Sequence, residues 1–291
     1  MNLTDTILES MVNLPPFPVV VQRAIQLIND PKSSTQDVVE AIQFDQSITA
    51  NVLKICNSAY FGLRRTVHSL KEALILIGFN QLLEIILSQE SLNIFSTPCQ
   101  GYDLEYGELW RHSVACALLT RIVSKRLGRE ASPTYFTAGL LHDIGKVALS
   151  KFVGNYFGDI KKCIHEEHLS FVEAEHKVLG IDHAELGGKI TNQWNFPENI
   201  VAAVRYHHTP SLTSGEHEIV HLTYLCDLVA MITGIGGGAD GLSYHAYQDV
   251  IKQYNLNEND IERFIVDLDD RIQLVNEMLN VKGDTQMGAR Q

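Results

Sequence analysis

The chain has 291 residues, 45% of them hydrophobic and 20% charged, which is enough apolar material for one large or two moderate folded domains and too much for a disordered chain. A formal charge of -12 offers no basic footprint for phosphate backbones, so direct nucleic-acid binding is not expected. Cys56, Cys99, Cys116, Cys163 and Cys226 are scattered without a CxxC pair and read as reduced, buried thiols, not as a disulfide framework. No basic start with an apolar run opens the sequence, and no stretch approaches the roughly 20 apolar residues of a membrane span. A cytoplasmic setting without membrane attachment is expected.

In chain order, the prolines of Leu14-Pro-Pro-Phe-Pro18 open a first helix, Asn29-Asp-Pro31 ends it, and Ser33 to Asp37 caps the next. Val38, Ile42, Ile48, Val52 and Ile55 then recur at helical intervals. Asn57 to Gly62 predicts a turn with an aromatic anchor, and Gly78 reads as a glycine that lets helices approach closely. Turn-forming residues from Ser96 to Asp103 separate an N-terminal helical subdomain, 1–100, from a histidine-bearing domain, 101–233. Within the latter, Val114, Leu118, Leu119, Ile122 and Val123 are again helical in period, and Pro197-Glu198 opens another helix. Gly234 to Gly241 is glycine-rich but follows no strand and has no phosphate-loop spacing, so it reads as a flexible connection to C-terminal helices within 234–291, ending in a frayed tail from Gly283 to Gln291. Alternating strand patterns are scarce. The fold class expected is all-α.

Against this apolar background, one polar set stands out. His142-Asp143 lies between Leu141 and Ile144, and His112, His183, His207, His208 and Asp227 are spread over other predicted helices. A buried imidazole beside a carboxylate, with further imidazoles converging, needs an elaborate hydrogen-bond network or a metal ion, and the ion is the simpler account. Each residue also has a plainer reading. The pair could be a polar helix pair, His112 a satisfied core histidine, and His208 a helix-end cap. Asp227, inside Leu225-Cys-Asp-Leu-Val229, would be costly unpaired. His68, His165, His168, His176, His217, His221 and His245 read as solvated or structural.

The ordered series from Leu14 to Pro18, Asn29 to Pro31, Phe44-Asp-Gln46, Asn57 to Gly62, Ala73 to Gly78, Leu109-Trp-Arg-His112, His142-Asp143, Trp194-Asn-Phe-Pro197 and His207-His208 resembles the HDOD family, the HD-related output domains of bacterial signalling proteins. This resemblance covers roughly residues 10 to 232 and implies an N-terminal helical subdomain packed on an HD-type phosphohydrolase helical bundle. It also implies signalling through other signalling proteins more firmly than catalysis, because many members have lost part of the HD metal site. The present chain keeps the ligand types.

By the same resemblance, His112, His142, Asp143 and Asp227 match the four-ligand pattern of HD hydrolases, while His183, His207 and His208 are similar to the extra ligands of HD-GYP phosphodiesterases. Two divalent transition-metal ions are implied, of iron, manganese, nickel or zinc, with Asp143 bridging them and Lys146 contacting a phosphate. Lys146 is almost as readily a surface lysine after a helical turn. A donor set of imidazoles and carboxylates without thiolate disfavours a structural zinc cluster.

Two functions follow as expectations. One is a regulatory module that binds metal and recruits proteins; the other is a metal-dependent phosphohydrolase acting on a nucleotide-type phosphoester. Thr209 to Glu216 contains no Gly-Tyr-Pro, which argues against cyclic di-GMP, and the lack of cations beyond Lys146 and Arg205 argues against tri- and tetraphosphates. A metal or redox sensor is a weaker third reading.

Overall fold

Polar side chains start the helices where turn chemistry predicts. Ser34 accepts from the Asp37 N–H while Asp37 accepts from the Ser34 N–H, a capping box at the head of Thr35–Ile42. Ser170 forms another such box, and Asp45, Ser69, Ser132 and Asp182 each cap a later helix by accepting from a first-turn backbone N–H. The structure, a computed structural model, describes residues 2–271 except 12–13, 15–16, 131, 213–217, 237 and 240–247. The expected tail at 283–291, and His217 and His245, lie outside the described residues.

In order the helices are α1 (Leu3–Ser10), α2 (Val19–Asn29), α3 (Thr35–Ile42), α4 (Gln46–Cys56), α5 (Leu70–Ile77), α6 (Phe79–Phe95), α7 (Glu108–Arg126), α8 (Pro133–Leu141), α9 (Ile144–Asn155), α10 (Phe157–Glu167), α11 (Phe171–Leu179), α12 (His183–Gln193), α13 (Glu198–Tyr206), α14 (Glu218–Ile232) and α15 (Gln248–Gln253). Residues 258–271 are also helical. Among the described residues the only β pairing is an isolated bridge between Cys99 and Leu104. No described helix is long and apolar enough to cross a membrane. The fold is all-α.

A bundle of α7, α8, α9, α12, α13 and α14 forms the centre, with α7 packed on α8 and α14, and α12 on α9 and α13. Helix α6 is buried on nearly every face, as expected of a helix that is apolar all round, because α4 and α5 cover one side while α7, α8 and α9 cover the other. Its one buried acid, Glu84, lies 3.3 Å from Arg121 of α7; burial pushes its carboxyl up and the guanidinium opposes this. Gly78 joins α5 to α6 at φ +79, and a Cβ there would meet nothing within 4 Å. It therefore serves the turn and not a close helix approach.

Motifs distant in sequence meet in this packing. Phe17, in the proline-rich opening, is fully buried against Trp194 and Phe196, with ring centroids 5.9 and 5.7 Å away. Trp110 donates its indole N–H to the Ser88 carbonyl at 2.9 Å, fastening α7 to α6. Arg126 holds Asp260 with two guanidinium hydrogen bonds of 2.6 and 3.1 Å, which ties the helix at 258–271 to α7. Truncation of Phe17 to Ala should cost about 3–4 kcal/mol in equilibrium denaturant unfolding, because the residual cavity lies between two segments that cannot collapse independently.

Candidate metal centre

The bundle places the expected side chains around one buried point. His112 projects from the first turns of α7, His142 and Asp143 occupy the turn between α8 and α9, His183 begins α12, His207 ends α13, and Asp227 lies within α14. His142, His183 and His207 are 0% exposed, His112 and Asp143 1%, and Asp227 2%. The surface lysine reading of Lys146 fails: the side chain is buried, and its ammonium donates to Asp143 Oδ2 at 2.7 Å. His68, His165, His168 and His176 are exposed, and His221 is half-buried against the Tyr254 hydroxyl at 3.2 Å.

Four histidines share one arrangement. Each donates its Nδ1–H outward: His112 to the Ile235 carbonyl at 2.9 Å, His142 to Gly139 at 2.8 Å, His207 to Val204 at 2.7 Å, and His183 to the Glu175 carboxylate at 2.7 Å. That bond fixes the tautomer, so each Nε2 lone pair faces inward. His112 Nε2 then lies 3.0 Å from Asp227 Oδ1, and His142 Nε2 lies 3.3 Å from Asp143 Oδ2. His183 Nε2 meets His208 Nε2 at 2.9 Å. His142 Nε2, His207 Nε2 and Asp143 Oδ1 have no hydrogen-bond partner although they are buried.

Electron-rich atoms at these separations need protons or cations between them. Burial alone would push His142 down, but the Asp143 and Asp227 carboxylates carry it up to about 10. His112 is raised well above the usual imidazole range despite burial, by Cys116 and Asp227. Burial would raise Asp143, yet His142 and Lys146 hold it well below the usual carboxylate range. Burial lowers His207, and it lowers His208 further, with His207 and His183 adding to the effect. A divalent ion fits such a donor set, since it accepts the lone pairs directly.

Two donor groups can be distinguished, each with atoms within 4.8 Å of one another: His112, Cys116, His142 and Asp227, and Asp143, His183, His207 and His208. Asp143 faces both. Its Oδ2 lies 3.6 and 3.3 Å from His112 and His142, and its Oδ1 lies 3.5 and 3.7 Å from His183 and His207. The expected residues are thus brought together, and Cys116 joins them, so the donor set is not free of sulfur. Its signal was its place four residues after His112, on the same helix face. Glu175 was also missed. It occupies an apolar-stripe position of α11 beside Phe171, Ala174 and Leu179, is fully buried, and accepts from the Tyr102 hydroxyl at 2.5 Å as well as from His183.

Close packing presses neighbouring elements against most of these donors, while His208 is half-buried. A Cβ on Gly145 would stand 1.9 Å from the His183 carbonyl oxygen, so the glycine lets α9 bring Asp143 and Lys146 against α12. The glycine-rich segment is not the free connection expected, as far as its described residues show. Ile235 binds His112, and a Cβ on Gly236 would lie 2.7 Å from His112 Cβ.

A profile of the HDOD domain matches residues 14–210. The chain belongs to the HDOD family. A protein of Treponema pallidum (strain Nichols), uncharacterized, is 23% identical to this HDOD protein over 207 residues, which are 71% of the chain; the chain spans 40% of that relative's length. The crystal structure of an HDOD domain protein of unknown function from Geobacter sulfurreducens is similar, with a TM-score of 0.70, 25% identity, and coverage of 95% of this chain and 97% of that one. A candidate phosphohydrolase from Shewanella amazonensis SB2B has a TM-score of 0.68 at 19% identity, covering 94% and 97%. A candidate metal-dependent phosphohydrolase of the same organism has a TM-score of 0.57 at 19% identity, covering 95% and 98%. At these identities the latter two show the shared fold.

Two glycines of α9 should respond oppositely to alanine. Gly145→Ala is expected to lose about 2–3 kcal/mol because backbone must move. Gly154→Ala, whose nearest neighbour would be 3.6 Å away, should be neutral or gain up to about 1 kcal/mol from helix propensity. Denaturant midpoints of both variants check this.

Proposed function

We propose that this HDOD protein is a signal-transduction module that holds divalent transition-metal ions in the closed chamber and acts through its helical surface on other signalling proteins. One observation carries the metal reading: four buried histidines are each tethered at Nδ1 and turn Nε2 toward the Asp143 carboxylate, two toward each of its oxygens. The two donor groups flanking Asp143 support a pair of ions, with His112, His142 and Asp227 on one side and His183, His207 and His208 on the other. Iron, manganese, nickel and zinc all accept imidazole and carboxylate ligands. Burial of the ligands and the covering Ile235-Gly236 segment favour a regulatory role over open access for substrate. Buried free cysteines support a reducing, cytoplasmic setting.

A second reading, a metal-dependent phosphohydrolase on a nucleotide-type phosphoester, is favoured by Lys146. Its ammonium is buried inside the chamber on Asp143, where it would meet a phosphoryl oxygen as a point charge. Bound ions would supply a polarised water and positive charge there. The chain's own part would be to orient the imidazoles, exclude bulk water and place Lys146 beside Asp143.

Elemental analysis of protein purified without chelator or nickel resin tests the metal reading. About two equivalents of transition metal are expected, lost in His142→Ala and in Asp143→Ala; unchanged content in both variants would sink the assignment. Glu175→Gln should weaken metal retention by about 10- to 100-fold, through the loosened His183. Protons held by His142, whose imidazole is carried up to about 10, and by His112 must leave as metal enters, so uptake should release protons and apparent affinity should fall progressively as pH drops below about 10. Calorimetry in buffers of different ionisation enthalpy measures that release. Cyclic di-GMP should not be hydrolysed by the metal-loaded protein; metal-dependent turnover that vanishes in Asp143→Ala would establish the second reading instead.

A further inference from the structure

We infer that Cys116 supplies a thiolate ligand to the half of the centre formed by His112, His142 and Asp227, making that half a sulfur-containing site selective for a thiophilic divalent ion such as zinc. This inference rests on the metal reading above and specifies its chemistry.

Cys116 lies one helical turn after His112 on α7, so both side chains emerge on the same face. Its Sγ is 3.6 Å from His112 Nε2 and within 4.8 Å of the donor atoms of His142 and Asp227. An independent feature points to the same place. His142 Nε2 is completely buried, has no hydrogen-bond partner, and belongs to that group of donors. A plain core thiol would face apolar neighbours, whereas this sulfur faces two imidazoles and a carboxylate. The protein's other buried cysteines, Cys56, Cys99, Cys163 and Cys226, are not in the group.

His112, His142, Asp227 and Cys116 offer two nitrogens, one oxygen and one sulfur, the donor types of a zinc site, with Asp143 Oδ2 beside them. The group across Asp143 offers three imidazoles and one carboxylate with no sulfur. The two halves therefore differ in softness, and a softer ion belongs on the Cys116 side. As the metal–sulfur bond forms, the thiol S–H bond breaks and its proton passes to solvent.

The full chain, stripped with chelator and reloaded with cobalt(II) alone, tests this. A near-ultraviolet sulfur-to-cobalt charge-transfer band is expected in the unaltered protein and in Cys163→Ser. In Cys116→Ser the band should disappear, and zinc affinity should fall by at least about tenfold. Retained cobalt without the band, or a band that survives in Cys116→Ser, overturns the inference while leaving the metal reading in place. Failure of the unaltered protein to retain cobalt or zinc overturns both. If Cys116→Ser does not fold, X-ray absorption of the zinc-loaded unaltered protein decides: sulfur at about 2.3 Å supports the ligand, and nitrogen and oxygen alone near about 2.0–2.1 Å overturn it.

Discussion

Electron-rich atoms crowd the centre of this bundle, and the packing around them keeps them there. Imidazole lone pairs, the Asp143 and Asp227 carboxylates and a sulfur converge in a volume from which water is largely excluded. The two carboxylates among the donors, Asp143 and Asp227, stand against one buried ammonium, Lys146, and leave uncompensated negative charge, which low-dielectric surroundings penalise heavily. Either histidines take up protons, as the raised values of His112 and His142 describe, or cations occupy the space. A divalent ion satisfies several lone pairs at once, which separate protons cannot.

Helix ends explain how so many donors reach one place. His142 and Asp143 sit at the α8–α9 turn, His183 starts α12, and His207 ends α13, so the chain reverses direction around the chamber. Two of the outward tethers, from His142 and His207, are to carbonyls three residues earlier, acceptors that local helix geometry supplies. The other two need partners from elsewhere: Ile235 beyond α14 and Glu175 on α11. The same packing brings these elements close, since Gly145 and Gly236 leave no room for a methyl group against neighbouring backbone and His112.

Closure and charge together shape the functional reading. A donor set this complete is suited to holding ions, whereas a chamber this enclosed is less suited to admitting a large anionic substrate. Among the described residues, Asp143 is the one whose two oxygens face different donor groups. Lys146, bonded to that same carboxylate, couples the chamber to Tyr102, whose ring lies 5.6 Å from the ammonium.

Local chemistry determined much of this protein directly from its sequence. Ser34 with Asp37 and the prolines at 18 and 197 place helix starts because capping and proline geometry act over a few residues. The all-α class followed from apolar periodicity, and His112, His142, Asp143, His183, His207, His208 and Asp227 were legible as donor types in apolar surroundings. Periodicity says which face of a helix is buried but not what that face meets. Tertiary packing alone decided that Cys116 stands among the donors, that Glu175 steers His183, that Lys146 is buried, and that a glycine-rich segment covers His112 instead of swinging free. Each of those relations is a contact between elements remote in sequence or a choice between two equally helical faces. Only the closed bundle specifies them.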